Sequence, residues 1–347
     1  MVERPPFPAL LTSGSLFGGA YEVEEPIGQG ATAVVYRARH LPTGRDVALK
    51  ILKGDPAPAP RALRRFLGEA QSVARINHPN VVQVYDAGLS AGGRPYLAME
   101  LVRGRSLATW LSGSGVLPVA LSLEIAAQVL QGLSAAHEAG ILHRDVKPAN
   151  ILLVDGSRPA CKLCDFGLAK RMDVASGRLL DSGLSSLSFQ NELCGTPDYI
   201  SPEQASGETL DERADVYAVA VTLFQMLCGA PPFKGRTPLE TIAHHLHKEA
   251  PLLRDTGVCP QLPESLQSVI ARALSKDPRN RPGSAAHFGA ELARIRSDVS
   301  AGALRGWSAR PLDTQGADPA SQPTLTEVQV PRRWRRRAFA RWRFPAP

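Results

Sequence analysis

Cysteine is scarce. The five in the chain stand at 161, 164, 194, 228 and 259, odd in number and scattered, so no disulfide framework is expected and a reducing, cytoplasmic setting is implied. Long apolar runs are missing as well. The most apolar later stretch, 216–227, is 12 residues long with Thr222 and Gln225 inside it, short of the roughly 20 that cross a bilayer, and it reads as a buried helix. The start, MVERPPFPALLTSG, puts an acid and three prolines where an export signal needs a basic end and a continuous apolar run, so no export is expected. Acid is absent from residues 331–347, which hold seven arginines and no Asp or Glu. The formal net charge is +7, yet without those seven arginines 33 basic residues face 33 acidic ones and the balance is zero. The basic character belongs to a short appendage and says nothing of a nucleic-acid-binding body.

What remains is an ordinary globular composition, 44% apolar and 21% charged, over 347 residues. That length suits two lobes, or one large domain with a tail. Residues 21–53 show β-type runs on either side of the turn Leu41-Pro42-Thr43-Gly44, which predicts a hairpin sheet. From Arg61 the apolar positions Leu63, Phe66, Leu67, Ala70, Val73 and Ala74 recur at the spacing of one helix face, and that helix is expected to end near His78-Pro79. Residues 81–85 and 96–101 alternate like strands. After Gly104 helical patterns dominate, at 119–139, 211–228, 237–248, 263–275 and 284–297. Residues 298–330 lack periodicity and read as a linker.

Three clusters carry chemistry. Gly28-Gln29-Gly30 opens a glycine-rich turn between strands, where backbone N–H groups can approach phosphate without a Cβ in the way. A β-branched strand follows it, so the dinucleotide motif that needs a helix there is excluded. Lys50 ends the apolar strand 47–50, and Glu69 sits close to the buried face of the following helix, where a carboxylate usually has a cationic partner. Lys50 is the natural one. His143-Arg144-Asp145-Val146-Lys147-Pro148-Ala149-Asn150, followed by Asp165-Phe166-Gly167, offers carboxylates, a lysine and an amide oxygen just outside apolar runs. Asn and Asp oxygens suit Mg²⁺, and an Asp can accept a hydroxyl proton.

In this order, over residues 21–297, the glycine loop, strand lysine, helix glutamate, HRDVKPAN, DFG and SPEQ resemble the eukaryotic-type Ser/Thr protein kinases, in particular their bacterial members. The resemblance implies an α+β, two-lobed protein kinase fold, with a β-rich N-lobe over about 21–103 and a helical C-lobe over about 104–297. Around it lie an N-terminal extension (1–20), the flexible linker (298–330) and a disordered Arg/aromatic tail (331–347). It also implies transfer of the γ-phosphoryl of ATP to Ser or Thr hydroxyls of proteins in signal transduction, including itself through self-association, with ATP and Mg²⁺ as cofactors and Mn²⁺ as a substitute.

By position, the resemblance makes Ile27, Gly28, Gln29, Gly30 and Val35 the loop and lid over ATP. Lys50 holds the α and β phosphates and pairs with Glu69. Ala48 and Leu152 sandwich adenine, Met99 guards the back of its pocket, and Glu100 to Val102 form the hinge. Asp145 is the catalytic base, Lys147 the neutralising lysine, and Asn150 and Asp165 the metal ligands. Thr196 touches Asp145 and Lys147. Arg144 pairs with a phosphate on the activation segment 165–203. Val73, His143 and Phe166 form a stacked apolar column, Asp215 holds the HRD backbone, and Arg281 pairs with Glu203.

Two departures stand out. Ala33 occupies the usual place of the third loop glycine, and Ala220 that of a common helix glycine. Cys161-Lys162-Leu163-Cys164 has no second Cys or His pair beside it, so a packing role is expected rather than zinc or redox chemistry. In the tail, arginines interleave with Trp334, Phe339, Trp342 and Phe344. It reads as a solvated terminus or as an attachment to an anionic membrane surface, with nucleic acid behind both. The rival from another class is a pseudokinase scaffold. Its usual signature is loss of the strand lysine, the base or the metal aspartate, and all three are present.

Overall fold

A sheet with one covered face needs buried and exposed positions in alternation, and Tyr21 to Ala38 supply them. The computed structural model describes residues 11–30, 32–53, 60–166, 197–256 and 262–298. Its first layer is an antiparallel sheet of six strands: β1 (Leu16–Phe17), β2 (Tyr21–Gln29), β3 (Ala33–His40), β4 (Arg45–Leu52), β5 (Val84–Leu89) and β6 (Pro95–Glu100). They lie in the order β1-β2-β3-β4-β6-β5. The expected turn after β3 forms, with Gly44 N–H donating to His40 C=O at 2.8 Å and Gly44 at φ +66°, a conformation that suits a residue without a side chain. The sheet begins ahead of Tyr21. Leu16 and Phe17 pair with Glu22 and Tyr21, and Phe17 is buried with its ring edge-on to Tyr96 at 5.5 Å.

Helix α1 (Pro60–Ala74) lays Phe66, Ala70 and Val73 against this sheet. It stops short of the expected His78. Arg75 and Ile76 N–H groups bond to the carbonyls three residues back, a tightening that ends the helix ahead of Pro79.

The second lobe is helical: α2 (Leu107–Ser114), α3 (Val119–Glu138), α4 (Pro202–Ser206), α5 (Arg213–Cys228), α6 (Pro238–His247), α7 (Glu264–Ala273) and α8 (Ala285–Asp298). Helix α5 is apolar on nearly every side and has thirteen buried residues, so other elements surround it. Helix α3 is long and apolar enough to cross a membrane, but 61% of its apolar window is buried in the fold, as a core helix requires. Leu123, Ile125, Leu130 and Leu133 of α3 are fully buried, each contributing about 1.5–3 kcal/mol by leaving water. A small sheet of β7 (Gly104–Ser106), β8 (Ile151–Val154) and β9 (Cys161–Leu163) sits on top of the helices. It joins the lobes: Val82 N–H donates to Leu163 C=O (2.9 Å), and Leu163 N–H to Asn80 C=O (2.8 Å).

Candidate active site

The loop 143–150 is fixed from below by one buried carboxylate. Asp215, 1% exposed on α5, accepts the His143 N–H on Oδ2 and the Arg144 N–H on Oδ1, both at 2.8 Å. His137 Nε2 also lies 2.8 Å from Oδ2. Those bonds hold Arg144 at φ +65°, a left-handed conformation that costs a side-chain-bearing residue about 1–2 kcal/mol. His143 is fully buried, which pushes its imidazole pKa down and keeps the ring neutral. Its Nδ1 accepts the Asp145 N–H (3.2 Å), so Nε2 carries the proton and donates to Cys164 C=O (3.0 Å). The ring also packs on Phe166, centroids 4.5 Å apart, and Phe166 and Val73 share one buried cluster.

On this base the polar residues converge. Asp145 Oδ2 accepts from Lys147 Nζ at 2.9 Å and from Asn150 Nδ2 at 3.1 Å, and Asn150 Nδ2 also reaches the Asp145 carbonyl at 2.8 Å. Lys50, on β4 and 8% exposed, places Nζ 2.7 Å from Asp165 Oδ1, with Asp165 at φ +62°. The structure corrects one expectation. Among the described residues Lys50 forms no ion pair with Glu69; it pairs with Asp165, while Glu69 lies 3.5 Å from Arg65, one turn back on α1. An ammonium out of water takes the carboxylate within reach, and that carboxylate is Asp165.

The residues expected around adenine meet in a small apolar cluster drawn from both lobes. Ala48, Val82 and Met99 are buried, with Val35, Leu101, Val102, Leu152 and Cys164 packed against them. Val82 was not singled out by sequence, whereas Cys164 was expected to pack and does so here. Burial pushes the Cys161 thiol up to about 12 and raises that of Cys164 too, so both are protonated packing residues rather than thiolate ligands. Glu100 N–H is committed to Gln83 C=O at 2.8 Å, and its carboxylate to Lys162 at 3.0 Å. Ile27, Gln29 and Gly30 are exposed on or beside β2, and Gly28 pairs with Val35. Thr196 and residues 167–196 of the activation segment lie outside the described residues, as do the linker beyond 298 and the tail.

The donor set fits a magnesium ion. Asn150 uses Nδ2 on Asp145, which leaves its amide oxygen to ligate, and Asp165 brings a carboxylate. No trio of His, Cys, Asp or Glu able to hold a metal alone occurs among the described residues. Mg²⁺ characteristically takes one or two protein oxygens and completes its shell with phosphate and water.

Where the activation segment returns, Ser201 caps α4 in a reciprocal box with Gln204, and Gln204 Nε2 donates to Arg144 C=O at 3.0 Å. Glu203 and Arg281 form a buried bidentate pair at 2.7 and 2.8 Å. The remaining Arg281 donors reach the carbonyls of Ser275, Arg213 and Lys276.

Residues 21–291 match the family model for the protein kinase domain. The chain is 38% identical over 292 residues to the serine/threonine-protein kinase PknB of Mycobacterium tuberculosis, covering 83% of this chain and 44% of that one. It thus spans less than half the length of that relative. The crystal structure of the Mycobacterium tuberculosis PknI kinase domain superposes with a TM-score of 0.65 at 32% identity, covering 82% of this chain and all of that one. A structure of Rad53 in complex with AMP-PNP gives a TM-score of 0.62 at 25% identity, covering 78% of this chain and 64% of that one. With that match extending over most of its length and through every element of the site, the chain belongs to the protein kinase family.

Proposed function

We propose that this chain transfers the γ-phosphoryl group of ATP to Ser and Thr hydroxyls of proteins, itself included, as a step in signal transduction. The observation that carries the reading is the convergence of Lys147 and Asn150 on one carboxylate oxygen of Asp145, beside an Asp165 already held by a buried lysine. Asp145 accepts the proton of the attacking hydroxyl as its oxygen bonds to the γ-phosphorus, and the bond from that phosphorus to the bridging oxygen breaks to release ADP. Lys147 offsets the charge beside Asp145. Lys50, on exchanging Asp165 for the α and β phosphates, orients the nucleotide. Asn150 and Asp165 would hold Mg²⁺, with Mn²⁺ as a substitute, and the metal supplies neutralisation of the phosphate oxygens. The purine would enter the two-lobe apolar cluster.

The test is incubation of the purified chain with Mg-ATP, alone and with mixed cell protein, followed by mapping of phosphosites. Phosphoserine or phosphothreonine should appear on both, including at least one site between 168 and 200. Arg144 motivates the last point, since its Nε is buried without a hydrogen-bond partner among the described residues and suits a phosphate. Bound ATP with no transfer to any protein would replace the kinase by a scaffold.

The same reading places the enzyme in the cytoplasm, with residues 331–347 resting on an anionic membrane surface. Seven arginines interleaved with four aromatics support it, each arginine adding about 1 kcal/mol near such a surface. Deleting 331–347 should leave peptide phosphorylation near wild type and abolish salt-sensitive sedimentation with phosphatidylserine vesicles. A large fall in turnover would instead place the tail on the lobes.

A further inference from the structure

Lys53 follows β4 and grips the glycine-rich loop at two points. Its backbone N–H donates to Thr32 C=O at 2.8 Å, and its Nζ donates to Gly30 C=O at 2.7 Å. Gly30 in turn donates its own N–H to Ala33 C=O at 2.9 Å. Both polar groups of the Gly30 backbone are therefore engaged, one by the turn itself and one by a side chain from outside it.

The orientation matters chemically. A loop that receives phosphate must face the anion with N–H groups, because a carbonyl turned the same way repels it. Glycine leaves its peptide planes nearly unrestrained, so sterics alone do not choose which way the Gly30 carbonyl faces. A charge-assisted bond from an ammonium does choose. Lys53 is also three residues beyond Lys50, directly after the strand that carries the buried cation of the site. We infer that Lys53 is a positioning residue for nucleotide binding, tying down the Gly30 carbonyl so that it cannot swing toward the phosphates. This rests on the nucleotide reading above. It adds a residue that no motif marks.

The full chain, Lys53→Met and Lys53→Arg are titrated with ADP and with adenosine, and KM for ATP and kcat are measured. Lys53→Met should weaken ADP and raise KM for ATP about 3- to 10-fold, the scale of one hydrogen bond to a charged group in partial contact with water, with kcat and adenosine affinity unchanged. Lys53→Arg should stay within about twofold of wild type, since it keeps a charged donor. A cation that merely attracts phosphate through space would give the same loss at low salt but not at high salt. The ADP ratio is therefore measured at 0.05 and 0.5 M NaCl. A ratio that persists supports the grip, and one that collapses to unity overturns it. Equal weakening of adenosine and ADP also overturns it, as a general loosening of the lobe. If Lys53→Met does not fold, Lys53→Gln takes its place with the same criteria. A wild-type chain that binds no ADP removes the nucleotide reading itself, whereas wild-type binding matched by Lys53→Met removes only the role of Lys53.

Discussion

Asp145→Asn should reduce phosphate transfer by at least 10²-fold, into the range of a lost general base, while the protein melts within a few degrees of wild type. Asn preserves the shape that Lys147 and Asn150 grip, so the loop that Asp215 holds has no reason to move. What disappears is a carboxylate able to take a proton. Lys50→Met should be equally damaging for a different reason. It removes the only described cation within 2.7 Å of Asp165, and Met fills the same nearly buried volume without a charge to desolvate. Asp165 keeps 36% of its side chain in water and tolerates the loss. Rates of autophosphorylation with radiolabelled ATP, paired with thermal melts, check both. Undiminished transfer by either purified variant would strip that residue of its role.

Glu203→Ala should cost about 3–5 kcal/mol of stability, the penalty for stranding one member of a buried ion pair. Arg281 has a side chain with no exposure, stacks over Tyr217 at 4.8 Å, and matches its donors to two carboxylate oxygens and three carbonyls. Removing the carboxylate leaves a guanidinium with no exposure to water and no anion beside it. Arg281→Lys should fare little better, because one ammonium cannot serve five acceptors in that fork geometry. Turnover should fall along with stability, since Glu203 and Gln204 share α4 and Gln204 supports the Arg144 carbonyl. Urea denaturation measures the first effect and steady-state kinetics the second. A loss below 1 kcal/mol for Glu203→Ala would show that the pair is hydrated or replaceable.

How far these features could be read in advance depended on how local they are. Helices α3, α5, α6, α7 and α8 repeat an apolar spacing over ten residues or more and were foreseen within about three residues at their ends. Helices α2 and α4 are too short to show a period; their caps, Ser106 and Ser201, were the available sign. Strand β1 has two residues and acquires its identity only from pairing with β2. In the site, Asp145, Lys147, Asn150 and Asp165 stand in runs whose order is legible. The grip of Asp215 on His143 and Arg144 spans more than 70 residues and came only from resemblance. The partner of Lys50 was misjudged because Glu69 and Asp165 are both plausible by charge, and only the placement of α1 against β4 separates them. Val82 escaped notice because the pocket exists only once two lobes meet.

Arg144 and Asp165 are the two described residues other than glycine with positive φ, and they flank the chemistry on either side. Each conformation carries a cost of about 1–3 kcal/mol that the surrounding bonds must overcome. At these positions thermal robustness and activity are opposing selections. A directed-evolution campaign scored on heat resistance alone would gain by installing glycine there, or asparagine at 144, since these accept left-handed backbone at less cost. Its winners would lose the guanidinium at one position and the carboxylate at the other. Libraries aimed at a hardier enzyme should therefore hold 144 and 165 fixed and seek their gains in distant surface positions.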